Sequence, residues 1–98
     1  MQAKMNNWSG WVDETRPDFL VGKYKQLLID CGFKVVDECY HFFTPFGFTG
    51  LILLSESHFA IHTFPEENQT YIELSSCVDE PFENFMNAIE GRDAYGKS

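Results

Sequence analysis

Apolar residues in this chain follow two different periods, and the switches between them mark its elements. Leu20, Tyr24, Leu27, Leu28 and Cys31 recur three or four residues apart, which places them on one face of a helix. Thr15-Arg16-Pro17-Asp18 opens that stretch with proline in the first turn, and Gly32 supplies the stop. Further on, Phe82, Phe85, Met86 and Ile89 stand at i, i+3, i+4 and i+7 behind Asp79. That spacing predicts a second helix, capped by Asp79 and ended by Gly91. The rest reads as strands. Residues 8–14 run from apolar to acidic, residues 33–43 are β-branched and aromatic, and Thr44-Pro45-Phe46-Gly47 makes a turn. Residues 48–55 form a buried-looking strand, 59–64 another closed by Pro65-Glu66-Glu67-Asn68, and 70–76 the next. Residues 1–7 read as a loose leader and 92–98 as a tail without periodicity. The order βαββββα with short turns predicts an α+β two-layer sandwich, a mainly antiparallel sheet with helices on one face.

Composition narrows this picture. With 98 residues, 44% hydrophobic content and ten Phe, the chain is expected to be a single domain over 1–98 with one core. The longest apolar runs, such as residues 48–54, are too short for a bilayer, and no basic segment precedes an apolar one. A soluble, cytoplasmic protein with no membrane partner is expected. The net charge of −8 argues against nucleic acid, which requires a basic face, and mildly favours a cationic ligand. Cys31, Cys39 and Cys77 are odd in number and lack CxxC spacing, so reduced thiols are expected, with neither disulfide nor metal site. Cys31 and Cys39 are read as core thiols.

The chemistry concentrates in Leu54-Ser55-Glu56-Ser57-His58, in His62-Thr63-Phe64-Pro65-Glu66 and at Cys77. A Glu-Ser peptide bond between two apolar runs, followed by an imidazole, a carboxylate and a thiol, holds the groups needed for self-cleavage. The Ser57 hydroxyl would attack the Glu56 carbonyl and convert the amide to an ester. Loss of the α-proton would then expel the acyl group and leave dehydroalanine, which hydrolyses to a pyruvoyl group at a new N-terminus. That sequence needs a strained or polarised peptide bond and a nearby base. The plainer readings are a polar hairpin tip for Ser55-Glu56-Ser57, a core histidine for His62 and a solvated turn histidine for His58. A thiol with the ordinary pKa of about 8.5 is mostly protonated at neutral pH, so Cys77 can return a proton to a carbanion.

These residues resemble the small prokaryotic S-adenosylmethionine decarboxylases, which process themselves and depend on a pyruvoyl group. The resemblance rests on Glu56-Ser57-His58, on His62-Thr63 with Pro65-Glu66, and on Cys77, twenty residues beyond Ser57. It runs from about Asp30 to Cys77. It implies the fold of that family, cleavage between 56 and 57 into a beta chain (1–56) and an alpha chain (57–98), and a pyruvoyl cofactor derived from Ser57. It makes His62 the base of self-cleavage, Cys77 the catalytic cysteine, and Thr49 the counterpart of a serine that assists processing. It sets Phe43, just before Pro45-Phe46-Gly47, against an adenine ring and Glu66 against two ribose hydroxyls. The implied reaction is decarboxylation of S-adenosylmethionine, its amine captured as a Schiff base, to give the aminopropyl donor for spermidine. Two alternatives stand beside it: a pyruvoyl-dependent decarboxylase of arginine or ornithine, and a non-processing homologue that binds a nucleoside or regulates the enzyme. Val78 departs from the family's glycine after the cysteine.

Strand geometry adds an expectation about assembly. At roughly 3.3 Å per residue, five steps separate Ser57 from His62 by about 16 Å, and odd spacing turns their side chains to opposite faces. Proton abstraction requires contact within roughly 3 Å. A homodimer with shared active sites brings Ser57 of one protomer to His62 of its partner, and the resemblance implies the same arrangement.

Overall fold

A computed structural model of the chain describes residues 3–90. Its elements are β1 (Asn6–Val12), α1 (Pro17–Cys31), β2 (Val35–Phe42), β3 (Phe48–Leu54), β4 (Ser57–Phe64), β5 (Gln69–Ser76) and α2 (Asp79–Glu90), with a 3-10 turn at Pro65–Glu67. The five strands form one sheet in the order β1-β5-β4-β3-β2, every neighbouring pair antiparallel. This is the α+β architecture expected from the element order.

The period-two pattern decides which side of the sheet is covered. Phe48, Ile52 and Leu54 of β3, Phe59 and Ile61 of β4, and Ile72 and Leu74 of β5 are buried against the helices. The stripe Leu20, Tyr24, Leu27, Leu28, Cys31 of α1 and the pair Phe85 and Ile89 of α2 meet them, as the helical spacing predicts. Tyr24 stacks on Phe59 at 5.4 Å between ring centroids, and Phe85 sets its edge to Phe59 at 5.9 Å and to Trp8 at 5.6 Å. Each such large side chain contributes about 1.5–3 kcal/mol by leaving water. Among the described residues no helix covers the other face of the sheet, and Leu51 and Leu53 stand there 45% and 49% exposed.

Several boundaries differ from the sequence expectation. Asn6 and Asn7 belong to β1, not to a leader, because they pair with Ser76 and Ser75 of β5. The first strand therefore ends at Val12, short of Glu14. Ser57 and His58 pair with Leu54 and Leu53, so the hairpin tip is only Ser55-Glu56, and His58 lies on a strand. Asp79 is the first residue of α2, and its carboxylate takes Asn6 Nδ2 at 3.1 Å and Lys4 Nζ at 3.1 Å. Cys31 is buried as expected, whereas Cys39 is exposed, because β2 is an outer strand. None of the three cysteines is in a disulfide. Gly32 ends α1 with φ 113°, the left-handed conformation in which glycine carries no Cβ penalty. The expected stop at Gly91 and the tail lie outside the described residues. Among the described residues no helix is long and apolar enough to cross a membrane, and no group of three or more His, Cys, Asp or Glu could hold a metal ion.

Candidate functional site

The singled-out residues fall into two clusters at opposite ends of the β3–β4 ladder. The first surrounds the hairpin tip. Glu56 adopts φ 61°, a left-handed conformation that costs a residue with a Cβ on the order of 1–3 kcal/mol. Ser57, the first residue of β4, points to the helix side and is buried. Its Oγ is folded back on the preceding peptide, 2.7 Å from the Glu56 carbonyl oxygen and 2.8 Å from Ser76 Oγ. Register brings Cys77 to the same place, since Ser57 is paired with Ser76 across β4 and β5. The Cys77 thiol donates to the Glu56 carbonyl oxygen at 2.8 Å, and the Cys77 backbone N–H donates to it at 3.3 Å. Two donors thus converge on the carbonyl that a nucleophile at Ser57 would attack, the arrangement that stabilises a developing oxyanion.

The second cluster sits at the far end of the same strands. Thr49 and His62 are cross-strand partners on the open face, with Thr49 Oγ1 3.1 Å from His62 Nδ1. That contact sets the orientation of the imidazole. Beside it is a cavity of about 210 Å³ lined by Phe43, Phe46, Phe64, Thr49, His62 and Glu66 among others. The β2–β3 loop shapes one wall: Thr44-Pro45 is cis, Gly47 has φ 114°, and the Phe43 N–H donates to the Gly47 carbonyl at 2.8 Å. The His41 ring packs edge-on to Phe43 at 4.5 Å between centroids. Glu66 lies on the 3-10 turn, exposed to solvent. Aromatic walls with one carboxylate acceptor suit a flat ring carrying hydroxyls.

The structure therefore brings Glu56, Ser57 and Cys77 together, brings Phe43, Thr49, His62 and Glu66 together, and keeps the two sets apart within one chain. Ser57 faces the helices and His62 the open side, so no movement of a side chain joins them. A larger groove of about 360 Å³ runs over Asp37, Cys39, Leu51, Leu53 and His58 on the open face. It contains none of the residues singled out for chemistry apart from His58. Sequence reasoning missed Ser76, Phe46 and Phe64. A signal for Ser76 existed, because it continues the buried alternation Thr70, Ile72, Leu74 as a hydroxyl in register with Ser57.

The family model described as S-adenosylmethionine decarboxylase matches residues 15–92. The "S-adenosylmethionine decarboxylase proenzyme" of Thermotoga petrophila is 33% identical over 73 residues, covering 69% of this chain and 56% of that protein. The protein of the same name from Symbiobacterium thermophilum is 49% identical over 47 residues, covering 48% of this chain and 36% of its own length. The chain thus spans about half the length, or less, of these relatives. The crystal structure of the adenosylmethionine decarboxylase from Aquifex aeolicus superposes with a TM-score of 0.71 at 19% identity, covering 89% of this chain and 78% of that one, a likeness of fold. With the family model spanning most of its length, the chain belongs to the S-adenosylmethionine decarboxylase family.

Proposed function

We propose that this chain is the precursor of a pyruvoyl-dependent S-adenosylmethionine decarboxylase that cuts itself between Glu56 and Ser57 and works as a symmetric homodimer. The observation that carries this reading is the Ser57 hydroxyl, lying 2.7 Å from the Glu56 carbonyl oxygen while Cys77 donates to that same oxygen from its thiol and its N–H. In the first step Ser57 Oγ bonds to the Glu56 carbonyl carbon, the C–N bond breaks, and the hydroxyl proton ends on the Ser57 nitrogen. In the second, His62 of the partner subunit takes the Ser57 α-proton, the Cβ–Oγ bond breaks, and Glu56 leaves as a carboxylate. Water then releases ammonia, and the new chain begins with a ketone. The residues present fit that group, since Ser57 is buried and reaches its own scissile carbonyl.

Once formed, the pyruvoyl group supplies an electron sink for loss of CO₂ from a bound α-amino acid. The chain's own residues do the rest. Cys77, beside the reacting end, returns a proton to the substrate carbon. Phe43 and the neighbouring rings hold the adenine, and Glu66 accepts the ribose hydroxyls, so the aromatic cavity favours S-adenosylmethionine over arginine or ornithine. The product is the aminopropyl donor for spermidine synthesis, and cysteines outside disulfides suit a reducing cytoplasm. Intact mass is the direct test: two chains, 1–56 and 57–98, with a ketone at the start of the second, followed by release of labelled CO₂ from carboxyl-labelled S-adenosylmethionine. A chain that stays whole on prolonged incubation overturns the reading. Cleavage followed by CO₂ release from arginine or ornithine instead overturns the substrate alone.

A further inference from the structure

We propose that Ser76 is a positioning residue for self-cleavage: it accepts the Ser57 hydroxyl proton in a hydrogen bond and so leaves a lone pair of Ser57 Oγ facing the Glu56 carbonyl. The inference rests on the processing reaction proposed above. The Ser57 hydroxyl has one proton and two oxygens within reach, Glu56 O at 2.7 Å and Ser76 Oγ at 2.8 Å. Which of them receives it decides whether Oγ acts as a donor to the carbonyl or as a nucleophile towards it.

Counting donors and acceptors assigns the proton to Ser76. The Glu56 carbonyl oxygen already takes the Cys77 thiol and the Cys77 N–H. A carbonyl oxygen has two lone pairs, so Ser57 at 2.7 Å is a third donor in competition with these two, of which only the thiol has another acceptor, Glu56 Oε1 at 3.9 Å. Ser76 Oγ is in the opposite condition. Its own proton goes to the Val78 carbonyl at 3.0 Å, and it accepts the Val78 N–H at 3.0 Å. Its second lone pair is filled only if Ser57 donates. Ser76 is 0% exposed, so an unmet acceptor there would carry a desolvation cost. The two contacts to Val78 also hold the Ser76 hydroxyl still, which keeps the acceptor aimed at Ser57. Ser76 takes no proton from Ser57 in the chemical step, because its relay ends on a carbonyl oxygen. It selects the rotor of the nucleophile and nothing more.

The test isolates the acyl shift from the elimination that follows. In full-length His62→Ala protein the α-proton stays in place, so the ester accumulates and neutral hydroxylamine cuts the chain at Glu56. Ser76→Thr, Ser76→Val and Ser76→Ala are added to that background, and the rate of ester formation is followed by intact mass after hydroxylamine. Thr and Val have nearly the same shape, and only Thr keeps the hydroxyl. Ser76→Thr should form ester within a few-fold of the parent, whereas Ser76→Val and Ser76→Ala should be slower by about tenfold or more. Equal rates for Thr and Val, or a parental rate for Ala, would overturn the role of Ser76. If the parent forms no ester and the unmutated chain never divides, the processing reading itself fails, and this inference falls with it.

Discussion

Cys77 acts on Glu56 through two atoms that mutation separates. Cys77→Ala removes the thiol donor but keeps the backbone N–H at 3.3 Å from the Glu56 carbonyl. The expected result is a chain that still divides, more slowly, and then decarboxylates poorly for want of the proton donor, read by gel and by labelled CO₂. Ser57→Ala should abolish both cleavage and activity, and a fully active, undivided Ser57→Ala protein would contradict the mechanism. At this scale the sequence was most legible where chemistry fixes spacing. Ser57, Cys77, His62 and Glu66 stood out because few residues combine a nucleophile, a thiol, an imidazole and a carboxylate at such intervals. Ser76 did not stand out, because a serine among serines shows nothing of its burial until β4 and β5 are set in register.

Among the elements, α1 shows how its two ends can be tested separately. A Cβ at Gly32 would meet only Pro81, Cγ at 3.6 Å and Cβ at 3.8 Å, both ordinary contacts, so Gly32→Ala pays for conformation alone. At φ 113° the loss should be about 1–2 kcal/mol, lowering the melting temperature by about 4–8 °C for each kcal/mol. At the other end, Glu14 bonds the Arg16 guanidinium at 2.8 and 2.9 Å and the Arg16 N–H at 2.9 Å. The Arg16 side chain foremost, with its backbone N–H, holds the Glu14 carboxyl down from 4.5 to about 2. Between those values the unfolded chain binds the extra proton, so this stabilisation is complete above pH 4.5 and is lost as the pH falls toward 2. The thermal advantage of the wild type over Arg16→Gln should shrink over that range. Helix α1 was readable because its buried stripe is regular. Strand β2 was not readable in the same way, since its apolar residues Val36, Tyr40 and Phe42 are exposed on an outer strand, and hydrophobicity alone does not say which strand is outermost.

For the whole molecule, the proposed mechanism calls for a second copy, because Ser57 and His62 lie at opposite ends of one ladder. Leu51 and Leu53 on the uncovered face of the sheet offer an apolar surface for it. A two-fold axis between two such faces, perpendicular to the strands, reverses their direction and sets the hairpin end of one protomer over the cavity end of the other. Mixing Ser57→Ala with His62→Ala chains should restore about one competent site per heterodimer. Heterodimers that form and stay inactive would refute the shared site. Leu51→Glu with Leu53→Glu should give a folded monomer in sedimentation that does not divide. The odd spacing of Ser57 and His62 was legible in the sequence, but the exposed surface proposed to answer it was not, since Leu51 and Leu53 look like core in a run of apolar residues. The strand order β1-β5-β4-β3-β2 has one more consequence. A cut at the β3–β4 turn leaves β4, β5 and α2 on one fragment, clasped between β1 on one side and β3 with β2 on the other. The halves are interlocked, and parting them means unzipping two ladders at once. Refolding after denaturant would then be a meeting of two strangers instead of the collapse of one chain, with a yield that falls on dilution, so the proposed scission would act as a ratchet that fixes the fold in its own history.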